Sequence, residues 1–89
     1  MKYVYPIILI PSNGEYVVRV PDFDFMTQGK DIADAIDMAR DAISLMGVEY
    51  QDKGKTLPQA SEISNITHNA NETLTLVDVD FDAYRKIVQ

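Results

Sequence analysis

Apolar residues crowd the start of the chain and then settle into alternation, and this pattern predicts the first two strands. Residues 2–10, Lys-Tyr-Val-Tyr-Pro-Ile-Ile-Leu-Ile, are β-branched and aromatic, and the unbroken apolar run after Pro6 predicts a strand covered on both faces. Pro6 has no amide proton for a ladder, so it is expected at the strand start or at a bulge. Asn13-Gly14 follows, and because both residues accept positive φ, the pair is a hairpin signal between strand-like runs. Tyr16, Val18 and Val20 alternate with Val17 and Arg19, which predicts a second strand with one well-buried face, ended by Pro21-Asp22.

Phe25-Met26-Thr27-Gln28 reads as a short third strand closed by Gly29. From Asp31 the apolar period lengthens to between three and four, with Ile32, Ile36, Ala39, Ile43 and Met46 in one stripe, and this predicts an amphipathic helix. Asp31 is its expected N-cap, Asp34 places a carboxylate in the first turn, and Asp34, Asp37, Asp41 and Ser44 make up the opposite face. Gly47 is expected to end the helix, or to weaken it before a further turn through Gln51. Residues 52–60 have the turn chemistry of a loop, and residues 61–71 are polar and weakly patterned. Glu72 to Asp80 alternates again as a fourth strand, with Leu74, Leu76 and Asp78 set against Thr73, Thr75, Val77 and Val79, and residues 81–88 predict a short closing helix. No repeat or linker divides the chain, so the expectation is a single domain over residues 1–89. Its class is α+β, in the order β-β-β-α-β, with one sheet packed on one main helix.

Composition narrows the chemistry. Hydrophobic residues at 46% and charged residues at 25% are the balance of a folded soluble protein. Fourteen acidic residues against eight basic ones leave a net charge of −6, and five of the six surplus charges fall in residues 22–53. Such a field disfavours nucleic acid, whose binding depends on Lys and Arg at phosphates, and favours a basic protein partner. The absence of Cys excludes disulfides, thiolate zinc sites and cysteine nucleophiles, and the single His68 leaves no imidazole pair for a metal and no Ser/His/Asp relay. The apolar run from Pro6 to Pro11 is far short of the ~20 residues that span a bilayer and lacks a signal-peptide cleavage pattern, so a cytoplasmic protein without membrane attachment is expected. A chain of 89 residues buries only about 60–65% of its unfolded surface, which makes a homodimer or higher homo-oligomer a natural source of stability.

Several of these segments, taken in order, resemble one family. Tyr5-Pro6, Gly14-Glu15-Tyr16-Val17-Val18, Pro21-Asp22-Phe23 and Thr27-Gln28-Gly29, followed by the helix with Ala35 and Ala39, are similar to the N-terminal domain of HicB-type antitoxins. Gly54-Lys55-Thr56-Leu57-Pro58 and Val77-Asp78-Val79-Asp80 with Tyr84 extend the likeness over nearly the whole chain. Many members carry Pro-Gly-Cys where this chain has Asp24-Phe25-Met26, so the turn before the third strand is altered. The resemblance implies a partial ribonuclease-H-like fold. It also implies a non-enzymatic function: neutralising a small basic HicA-type ribonuclease toxin that cleaves messenger RNA, within a type II toxin–antitoxin system. Many members continue into a DNA-binding segment. This sequence ends at Gln89, and Arg85-Lys86 is too small to stand in for one, so the expectation is either a short member or one whose DNA-binding part is absent, and in both cases no direct nucleic-acid binding by this chain.

A nuclease-like fold raises the alternative of a degenerate metal-dependent hydrolase or small-ligand sensor. Asp22, Asp24, Asp78, Asp80 and Asp82 lie at predicted strand ends, where two or three could meet on Mg²⁺. Residues 3–10, however, contain no acid to complete such a site, so capping and solvated roles are favoured and no catalytic residue, metal or cofactor is expected. For the toxin surface the charge distribution nominates Asp22, Asp24, Asp34, Asp37 and Asp41. Asp37 and Asp41 repel each other one helical turn apart, a cost that hints at use against the plainer reading of a solvated face. Phe23 and Phe25 flank Asp24 and are expected to share one fate, core plug or partner anchor. His68 reads as solvated, and Met26, Met38 and Met46 as core fillers.

Overall fold

The computed structural model describes residues 1–88. Strands β1 (Lys2–Ser12), β2 (Glu15–Val20), β3 (Phe25–Gly29) and β4 (Thr73–Asp80) form one antiparallel sheet in the order β3-β2-β1-β4, with helices α1 (Ile32–Asp52) and α2 (Phe81–Val88). The β1–β2 hairpin closes through Asn13 and Gly14, with φ of 52° and 82°, the primed turn whose twist matches the flanking strands. That two-residue turn makes Ser12 and Glu15 a hydrogen-bonded pair, and alternation then sends the backbone groups of Ile8 and Ile10 toward β2 and those of Tyr5, Ile7 and Leu9 toward β4.

Pro6 is neither at the strand start nor at a bulge. It sits inside β1 in register with Leu76 of β4, and it is buried. Its missing donor falls on the β2 side, where the ladder has not yet begun: pairing with β2 starts at Ile8, and β2 has given way to a 3-10 turn at Pro21–Phe23. No ladder hydrogen bond is lost there, so the interior proline is tolerated.

One face of the sheet packs on α1 through Tyr5, Ile7, Leu9, Val18, Val20, Val77 and Val79, joined by Phe23 and Phe81. The helix meets it with Ala35, Ala39 and Ile43, while Ile36 and Met46 are partly buried against the cluster. The buried stripe therefore differs from the predicted one. Ile32 lies exposed in the first turn, and Ser44, expected among the acids, is buried with its hydroxyl donating to the Arg40 carbonyl at 2.7 Å. Small residues occupy the closest approaches. A Cβ on Gly29 would lie against the Ala35 backbone, and one on Gly47 would enter the Phe81 ring, so the helix continues through Gly47 to Asp52 because packing, not propensity, decides that position.

The segment between α1 and β4 covers part of the second face of the sheet, over Ile8 and Arg19, and leaves Val4 46% and Leu76 47% exposed. At its start the segment is held on the helix side, where the Tyr5 hydroxyl donates to the Pro58 carbonyl at 2.8 Å; Asp22 then accepts from the Ser61 amide at 2.9 Å and from its hydroxyl, and on the second face Arg19 donates to the Thr67 carbonyl at 3.3 Å. Arg19 shares its face with Ile8, its register partner, and Ile8 is 0% exposed although it lies outside the helix-side cluster. The polar stretch that has no period in the sequence is thus a strap, pinned by side chains.

Gly47→Ala is expected to destabilise the fold by about 1–3 kcal/mol through overpacking against Phe81, despite alanine's better helix propensity. Urea denaturation checks this, and an unchanged or raised midpoint would show that the ring yields freely.

Candidate functional site

The nominated residues divide into separate places. Phe23 is a core residue, 4% exposed and in edge contact with the Tyr5 ring at a centroid distance of 4.9 Å, so it is not available as a surface anchor. Phe25 points the same way, packs on the same cluster and stays half-buried. Asp22 is committed to Ser61 and anchors the strap. Asp24 caps the 3-10 turn in a left-handed conformation, φ 54°, with its side chain exposed. Asp34 serves the start of α1: its amide donates to Asp31 Oδ1 at 2.8 Å, and its own carboxylate accepts from the Lys30 amide at 2.8 Å.

Asp37 and Asp41 remain on the free flank of α1, and they are not a mere ridge. They line a groove of about 290 Å³ between α1, the end of β4 and α2, together with Arg40, Ser44, Asp78, Asp80, Ala83, Tyr84 and Ile87. Arg40 lies among four carboxylates. It reaches Asp37 at 3.0 Å and the Asp78 carboxylate at 3.1 Å, and its Nε donates to the Asp78 carbonyl at 2.9 Å. The groove thus presents four acids against one guanidinium, beside the half-buried Tyr84 and an Ile87 that is 80% exposed.

Asp78 and Asp80, strand-end acids by sequence, each have a specific task in the fold. The Arg40 hydrogen bond, aided by the Asp78 amide and Lys2, holds the Asp78 carboxyl below its ordinary range. The Ala83 amide, which donates to Asp80 at 3.1 Å, does the same for Asp80 and caps α2. Asp22 and Asp24 lie across the sheet, beyond the end of β2 and before β3, and among the described residues no three metal-ligating side chains come together. His68 is exposed, with Nδ1 3.0 Å from the Asn69 carbonyl. Met26 and Met38 are exposed rather than core fillers, and Met46 alone of the three packs against the core. Sequence spacing could not bring β4 and α2 to the Asp37–Asp41 flank, because that juxtaposition depends on where the strap returns the chain. Among the described residues, no helix is long and apolar enough to cross a membrane.

The fold is thus a four-stranded antiparallel sheet on one long helix, with an acidic groove between that helix, the end of β4 and α2. The sequence model for the HicB-like antitoxin of bacterial toxin–antitoxin systems matches residues 5–89, and the chain belongs to that family, whose members are antitoxins rather than enzymes. Two solved structures share the fold. A toxin–antitoxin complex from Streptococcus pneumoniae superposes with a TM-score of 0.86 at 22% identity, covering 94% of this chain and 73% of that one. A HicA3 and HicB3 toxin–antitoxin complex gives a TM-score of 0.70 at 20% identity, over 88% of this chain and 99% of the other. A comparison with curated proteins gives no match.

The lowered Asp78 and Asp80 carboxyls set an acid dependence. A depressed folded-state value adds stability that is present above the unfolded value, near 3.9, and is lost as the pH falls through the folded one. Thermal melts from pH 6 down to pH 2 are therefore expected to show the midpoint falling below about pH 4, and Asp78→Asn to fall less steeply than the parent. Identical slopes would place the acid sensitivity elsewhere.

Proposed function

We propose that this antitoxin neutralises a small basic HicA-type ribonuclease by laying the α1–β4–α2 groove on the toxin's RNA-binding surface. The observation that carries the reading is the groove itself, in which Asp37, Asp41, Asp78 and Asp80 outnumber Arg40 beside exposed apolar surface at Ile87. A protein that grips messenger RNA presents a positive surface, and carboxylates spaced along a groove take the places of phosphates there. Ile87 and Tyr84 supply the apolar contact that acids alone lack. Asp34 and Asp24 add to the negative field from the same segment, with Phe25 beside Asp24, whereas Asp22 and Phe23 act through the fold. The chain itself does not bind nucleic acid, and it works in the cytoplasm, where the toxin's substrate is. It does so as a homodimer, a reading supported by its small size and its two uncovered sheet edges.

The test is co-expression with the product of the adjacent gene, followed by co-purification and stopped-flow binding. Asp37→Asn/Asp41→Asn is expected to lower the association rate about three- to tenfold at low salt and to flatten its salt dependence, while leaving dissociation nearly unchanged. Equal rates and salt slopes in parent and variant would move the toxin off this groove. Failure to co-purify would remove the toxin reading altogether.

A further inference from the structure

Both edges of the sheet are open, but their charges differ in a way that selects a partner. The β1–β2 turn sets the phase of the ladders across the whole sheet. In β2, Tyr16, Val18 and Val20 bond toward β3, so Phe25, Thr27 and Gly29 bond back and the amides and carbonyls of Met26 and Gln28 point out of the sheet. In β4 the outward residues are Leu74, Leu76 and Asp78, and the Asp78 carbonyl is already taken by Arg40.

An edge that pairs with a copy of itself does so about a two-fold axis, and the axis fixes which residues face each other. About Thr27, Met26 faces Gln28 of the copy, and all four outward backbone groups of each strand are satisfied. One step beyond either end, Asp24 faces Lys30 of the copy, twice over by symmetry. Among the described residues neither Asp24 nor Lys30 carries an ion pair. The corresponding axis on β4, about Thr75, sets Glu72 against Asp78 of the copy, like against like.

Exposed apolar side chains lie on both sides of the β3 edge. Met26, 59% exposed, is on the strap face, and Met38, 43% exposed, lines a hollow with Gln28, Gly29, Lys30 and Asp34 on the helix face. For a chain of net charge −6 to approach its own copy, the meeting line must be neutral or self-complementary, and the β3 edge is both.

We infer that a second copy of this chain docks antiparallel along β3 about Thr27, joining two sheets into one of eight strands and pairing Asp24 with Lys30 across the axis. The inference deepens the homodimer reading above and adds the surface and register on which it rests. It also separates the two interfaces: the copy takes the β3 edge, and the toxin takes the acidic groove beside β4.

The chain has no Cys, so one introduced thiol reports the register without ambiguity. Thr27 would face its own copy as a non-hydrogen-bonded pair with Cα atoms about 4.5 Å apart, within the range a disulfide spans. Under mild oxidation, Thr27→Cys is expected to convert most of the full chain to a covalent dimer, and Thr75→Cys on the opposite edge is not. In sedimentation equilibrium, Lys30→Glu should weaken the dimer about tenfold, and adding Asp24→Asn, which tolerates the left-handed backbone there, should recover part of the loss. Gln28→Pro removes an outward amide while sparing the β2 ladder, so it should yield a folded monomer by circular dichroism.

A parent chain that is strictly monomeric at high micromolar concentration overturns both this inference and the homodimer reading. A dimer in which Thr27→Cys fails to cross-link, or in which Thr75→Cys cross-links instead, overturns this inference alone. So does a Gln28→Pro variant that stays dimeric but loses the toxin, because the edge would then belong to the toxin.

Discussion

The structure depends on how closely α1 lies against the sheet. Gly29 meets the Ala35 backbone near the start of the helix and Gly47 meets the Phe81 ring near its end, with Ala39 fully buried between them. Larger residues at these points would lift the helix and open the layer that Tyr5, Ile7, Val18, Val20, Val77 and Val79 fill. The same approach fixes the helix's rotation, which sends Arg40 and Ser44 toward β4 and leaves Met38 beside β3. The surface chemistry of the two sheet edges is therefore set by glycine and alanine, residues that have none of their own.

Arg40 shows how one side chain serves both fold and site. It takes up one outward carbonyl of β4, that of Asp78, and it keeps Asp37 and Asp78 from repelling each other across the groove. Because it neutralises only part of the local charge, the groove stays acidic while its geometry is held. Arg85 does comparable work below it, reaching Asp52 at 2.9 Å and Gln51 at 3.1 Å to tie α2 to the end of α1.

The chain is acidic, with fourteen acidic residues against eight basic ones. Its acids are spread over capping, anchoring and groove-lining tasks, and among the described residues none of them gathers into a metal site. The strap over the second sheet face lets a four-stranded sheet with one principal helix bury residues on both sides of β1, as the unbroken apolar run there requires.

The sequence by itself determined the elements and their order, since alternation, helical period, the Asn13-Gly14 turn and the Asp31 cap are local signals that the backbone obeys within a few residues. It also determined the class of function, because net charge and an ordered set of family motifs do not depend on packing. Which side of each element is buried was less legible: Ile32 belongs to the stripe by period but lies in a first turn that the sheet does not reach, and Ser44 belongs to the polar face by period but lies under the Arg40 carbonyl. Only the tertiary structure decided that Phe23 is core, that Asp22 holds a strap 39 residues away, and that Asp78 and Asp80 join Asp37 and Asp41 in one groove. Those outcomes follow from strand order and from the return path of the 53–72 segment. Long-range pairing of that kind is chosen by the sum of contacts over the whole chain, and no local pattern carries it.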